Sequence, residues 1–144
     1  MTCVWIGILS RLSIQEINKC LYPYNNLNRK PSEKEFVALL KTNNKPTVDV
    51  LWNGLEISEK MLHENLEWIR DYNIDNIYQG HDCSSADPFL MLISQLFCVD
   101  IHHNYNNSLS PRDIHNNGGF IQYTNKNNVS GMILSFISDK GHFW

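Results

Sequence analysis

The sequence predicts a single α/β domain, of the α+β kind, in which helices pack on a small central β-sheet. Three observations carry that expectation. Residues 89–97 are apolar at nearly every position, as in a helix buried on all sides. Residues 58–72 place Leu62, Leu66, Ile69 and Tyr72 at helical spacing, with Glu59, Glu64, Glu67 and Arg70 toward water. After residue 99 the apolar runs are short and extended, separated by turns rich in Asn and Gly. Helices early and strands late make a layered architecture. At 144 residues and 42% hydrophobic, the chain matches one ordinary domain spanning 1–144, with one core.

In chain order, Val4 to Leu12 carries Trp5, Ile6, Ile8, Leu9 and Leu12 and reads as a buried helix with Thr2 as its cap, which puts Cys3 at the N-terminus. A loop with Tyr22, Pro23, Tyr24 and Pro31 follows. Ser32 and Glu35 form a capping box that opens a helix to about Lys41, burying Phe36, Leu39 and Leu40. Asn43 to Pro46 is a turn, and Val48 to Trp52 is a short strand closed by Asn53-Gly54, a pair suited to a tight hairpin. Ser58 caps the amphipathic helix. Asp87-Pro88 starts the apolar helix, because proline in the first turn gives up no internal hydrogen bond. Val99 to His103 turns extended, Asn104 to Gly119 reads as a loop, and Phe120 to Tyr123 and Met132 to Ile137 complete the strands.

Composition excludes several classes. The net charge is -3, the pI about 6.0, and the 12 basic residues are scattered, so nucleic acid is not expected as a partner. No run approaches the roughly 20 apolar residues that cross a bilayer, and the start lacks the features of a signal peptide. Cys3, Cys20, Cys83 and Cys98 are irregularly spaced, fitting neither a zinc site nor a disulfide framework. The expectation is a protein among reduced thiols in the cytoplasm, needing no cofactor and no metal. Frequent Asn, Ile and Lys point to an AT-rich genome such as that of a large DNA virus.

Two residues carry the candidate chemistry. A cysteine at a helix N-terminus meets the partial positive charge of the helix, which favours the thiolate, and a nearby His completes a nucleophile and base pair. Cys3 holds such a place, although by position alone it also reads as a small apolar residue near a chain end. His142 follows an apolar strand and precedes Phe143 and Trp144, which are costly to leave in water and so argue for a docked imidazole rather than a frayed one.

The order of these features resembles the ovarian-tumour (OTU)-like, papain-type cysteine proteases. The likeness rests on Cys3-Val4-Trp5 opening a helix, on the passage from Gly80 through the apolar helix into Val99 to His103, and on Gly141-His142-Phe143 after the last strand. It implies an OTU-like fold and a deubiquitinase, a thiol protease in which Cys3 attacks the scissile carbonyl and His142 moves the proton. Ubiquitin or a ubiquitin-like protein is then the partner. The family places an Asp or Asn two residues after the His, where this chain has Trp144, leaving Asp139 or a backbone carbonyl to orient the ring. A non-catalytic OTU-like module that binds ubiquitin or another protein is the alternative, and a structural or virion protein is the third reading.

The remaining residues have simpler readings. His81, Asp82, Cys83, His102 and His103 match no standard ligand spacing. Cys83 is a second candidate nucleophile if it caps the apolar helix, and Cys98 reads as a buried core thiol. His102 and His103 fall on opposite faces of a strand, one packed and one solvated. Trp52 and Trp68 read as core or rim residues.

Overall fold

The computed structural model describes residues 3–21, 29–78, 87–106 and 118–138, and at Cys3, Asn76, Tyr78, Tyr105, Asn106, Gly118, Gly119 and Ser138 the backbone only. The described elements run α1 (Cys3–Ser10), α2 (Ile14–Cys20), α3 (Glu33–Thr42), β1 (Val50–Trp52), β2 (Leu55–Glu56), α4 (Glu59–Asp71), a 3-10 turn (Ile74–Tyr78), α5 (Asp87–Phe97), β3 (Asp100–Asn106), β4 (Gly118–Asn125) and β5 (Ile133–Ser138). A mixed α/β architecture is therefore present.

Local chemistry sets the helix starts. Ser32 Oγ accepts from Glu35 N–H while Glu35 Oε1 accepts from Ser32 N–H, so two otherwise orphaned donors are satisfied. Ser13 and Glu16 make the same reciprocal pair at α2, a helix the hydrophobic pattern had not announced. Ser58 caps α4 by accepting from Met61 N–H. Asn53 and Gly54 both adopt positive φ, 52° and 79°, as a two-residue hairpin turn requires, and they join β1 to β2.

The sheet has the order β2-β1-β4-β3-β5 and is antiparallel except for the parallel pair β3 and β5. Asn104 to Asn106 and Gly118 to Gly119, expected in a loop, instead extend β3 and β4 and pair with one another. Residues 107–117 lie outside the described residues. Register sorts the side chains by face. Ile101 stands between Tyr123 and Leu134, and His103 between Ile121 and Phe136, on the face turned to the helices. His102 stands between Gln122 and Ser135, and Asn104 between Phe120 and Ile137, on the open face.

Helix α5 lies across the inner face of the sheet. Its residues 89–95 are all buried, because the sheet covers one side and the other helices cover the rest. Polar contacts fix it in place: Ser94 Oγ donates to Val99 C=O, Asn125 Nδ2 donates to Ser94 C=O, and Gln95 Nε2 donates to Asp49. Around it pack Val4, Trp5 and Ile8 from α1, Phe36, Val37 and Leu40 from α3, and Ile69 from α4. Leu39, expected in the core, is only half-buried, and Val37 takes the inward place.

Candidate functional site

Only Cys98 and Val99 separate the end of α5 from the start of β3. The first turn of α5 is tied through Asp87 to Tyr123, which shares a register row with Ile101 of β3 and, through it, with Leu134 of β5. At that turn Trp5 meets Phe89 edge to face, with ring centroids 4.8 Å apart and planes at 85°. Phe89 also touches Tyr72 at 5.2 Å and Trp68 at 5.5 Å, and Trp5 reaches Phe36 at 6.4 Å. This aromatic group anchors the first turn of α1 to the first turn of α5.

Cys3 is the first residue of α1, where the unpaired N–H groups of a helix gather. No acidic side chain stands in that first turn to neutralise the helix's positive end. Strand β5 ends at Ser138, whose register partner is Tyr105 near the end of β3. Asp139 and His142 lie outside the described residues, as do Thr2, Gly80, His81, Asp82, Cys83, Phe143 and Trp144.

Beside this end of α5, the Tyr123 hydroxyl donates to Asp87 Oδ1 at 2.5 Å. Tyr123 is fully buried. Burial raises the Asp87 pKa, and the hydrogen bond from Tyr123 offsets part of that rise. Burial, followed by the Asp87 charge and the bond to it, pushes the Tyr123 pKa well above its usual value. Neither residue stood out in the sequence as part of a polar pair. Asp87 reads there as a helix start and Tyr123 as a strand aromatic, and only the fold joins them.

The two histidines fall on opposite faces of β3 as expected, although the outer one is half-buried rather than solvated. His103 faces inward at 1% exposure, and burial lowers its pKa to about 4. His102 is half-buried on the other face, its ring edge-on to Phe120 at 5.5 Å. Among the described residues no three His, Cys, Asp or Glu side chains gather as a metal site. No described helix is long and apolar enough to cross a membrane.

Cys98 departs from expectation. It is exposed rather than buried, because a left-handed backbone at φ 53° carries the chain from α5 into β3 and turns the side chain outward. Trp68 is 39% exposed beside Glu64, Glu67, Asp71 and Tyr72 in a shallow hollow of about 440 Å³, a rim residue, while Trp52 packs half-buried against the core. The chain matches no family model, no curated protein and no solved structure.

Proposed function

We propose that this protein is a cysteine-dependent isopeptidase of the OTU type that cleaves ubiquitin or ubiquitin-like linkages, with Cys3 as nucleophile and His142 as general base. One observation carries the reading: Cys3 opens a helix whose first turn is held by Trp5 against the start of α5. A thiol at that place is favoured as thiolate by the helix field, and its backbone is fixed by a buried aromatic contact. The arrangement of elements adds support. Strand β5 ends at Ser138, and His142 follows it by four residues, as a late strand leads into the histidine of the family this chain resembles. The resemblance of Cys3-Val4-Trp5 and Gly141-His142-Phe143 to the family's two ends supplies the substrate class.

In this reading the Cys3 thiolate attacks the carbonyl of the scissile isopeptide bond. His142 gives its proton to the departing lysine amine and then draws a proton from the water that releases the acyl group. Asp139 orients the imidazole. The test is an electrophilic ubiquitin probe that captures active thiols. The intact protein is expected to form a single adduct at Cys3, lost in Cys3→Ala and strongly reduced in His142→Ala. No adduct, or one that survives Cys3→Ala, would overturn the proposal.

A non-catalytic, partner-binding module is the second reading, favoured by the open sheet face, on which Phe120, Ile133 and Ile137 are each about half exposed. In that case ubiquitin binds without forming an adduct, and Cys3→Ala leaves its affinity unchanged.

A further inference from the structure

Outside the proposed catalytic pair, two other cysteines share one place in the fold. Cys20 is the last residue of α2, and Cys98 is the turn residue between α5 and β3. Both line a hollow of about 320 Å³, together with Phe97, Val99, Val129 and Met132. The chain from Cys20 to Cys98 passes through α3, α4 and α5 before it returns, so the tertiary fold creates the pairing rather than sequence proximity. Both thiols are free, Cys20 half-buried and Cys98 exposed.

We infer that Cys20 and Cys98 form a dithiol that a low-molecular-weight disulfide converts into an intramolecular cross-link between the end of α2 and the α5–β3 corner. The two thiols have different roles. Cys98 stands at the surface, where the left-handed turn presents it, and is the sulfur that the oxidant meets first. Cys20 lies deeper. Burial raises its pKa, Lys19 opposes that rise, and the nearby charge of Cys98 adds to it. A deeper thiol of raised pKa is slow to attack a disulfide in solution but is well placed to attack one already delivered to its neighbour.

The exchange balances in two steps. The Cys98 thiolate attacks one sulfur of the small disulfide. A mixed disulfide forms on Cys98, and the other half leaves as a thiolate that takes up a proton. Cys20 then loses its proton to solvent and attacks the Cys98 sulfur. The Cys20–Cys98 bond forms, and the second half departs as a thiol. Two protein thiols are oxidised, and one small disulfide is reduced to two thiols.

The experiment incubates the full chain with oxidised glutathione, blocks remaining thiols with excess N-ethylmaleimide at mildly acidic pH, and maps the peptides by mass spectrometry. In the wild type, a linked peptide pair containing Cys20 and Cys98 is expected, with little glutathione retained on either. Cys20→Ser is expected to hold at least tenfold more glutathione on Cys98 than the wild type, because the resolving thiol is gone. In Cys98→Ser, Cys20 should acquire glutathione at least tenfold more slowly than Cys98 does in the Cys20→Ser protein. The wild-type map decides the matter even if a variant folds poorly. Glutathione persisting on Cys98 without a linked pair, a link from Cys98 to Cys3 or Cys83, or no reaction at either position would overturn the inference.

Discussion

The Tyr123 hydroxyl donates to Asp87 Oδ1 at 2.5 Å, joining the middle of β4 to the start of α5. Because burial raises the Asp87 pKa above 3.8, the folded state holds this proton more tightly than the unfolded chain does. The group's contribution is therefore most favourable at low pH and declines as pH rises through the raised pKa. Asp87→Asn keeps an acceptor for Tyr123 and should lack that decline. Tyr123→Phe should cost about 1–3 kcal/mol at neutral pH, where it strips a donor from a buried carboxylate, and less below the carboxyl pKa. Urea unfolding of the three proteins between acidic and neutral pH measures both effects.

His103 acts in the opposite sense. Its folded pKa of about 4 lies below the ordinary value of 6.5, so the unfolded chain takes up a proton first as pH falls. Its neutral form favours folding fully above pH 6.5, and the advantage is lost as pH drops through 6.5 toward 4, by about 3 kcal/mol in all. His103→Leu, between Ile121 and Phe136, should flatten this acid limb. Thermal melts across that window, compared with the wild type, are the check.

Phe89 is the hub of the aromatic group that ties α1, α4 and α5 together. Phe89→Ala should cost about 3–5 kcal/mol, the usual range for emptying a buried phenylalanine site. Under the proposed function, Phe89→Leu should also lower the rate of probe capture at Cys3 more than it lowers stability, because Trp5 loses its edge contact. Equilibrium unfolding and labelling rates on the same samples separate the two.

The turn at Cys98 supplies a prediction of opposite sign. Glycine adopts φ near 53° without the steric cost of a Cβ, so Cys98→Gly should be neutral or should stabilise by up to about 1 kcal/mol. By contrast, Ser13→Ala and Ser32→Ala should each cost about 1 kcal/mol by dissolving a reciprocal cap. Chemical denaturation midpoints of the three variants report the difference.

Much of the fold was legible because it is written in short-range chemistry. Ser32 with Glu35, Asn53 with Gly54, and Asp87 before Pro88 each announce a boundary that the structure places within a residue or so. Ser13 and Glu16 carry the same signal for α2, but that seven-residue helix buries only Ile17 and has little apolar pattern beside it. Asn104 to Asn106 read as loop because Asn disfavours strands, but cross-strand pairing with Phe120, Gly119 and Gly118 overrides that preference. Cys98 was misplaced by its apolar neighbours, because hydrophobicity along a run does not reveal where the backbone reverses. The site itself was legible only as a position, Cys3 at a helix start. Pairs such as Tyr123 with Asp87, or Cys20 with Cys98, depend on long-range packing that no local pattern encodes.

The pairing of β1 with β4 imposes a timetable on the newborn chain. Val50 bonds in register with Asn125, so β1 is completed only after 75 further residues have been made, roughly 4–15 s at ribosomal speed. Through most of that interval α5, the core about which the early helices pack, has not yet emerged either. Helices α1 to α4 must wait with their apolar stripes uncovered, and non-local closure of the sheet comes late and slowly. A growing polypeptide of this design is a natural client for chaperones that shield nascent apolar surface, and its yield on expression should depend on them more than the stability of the finished domain would indicate.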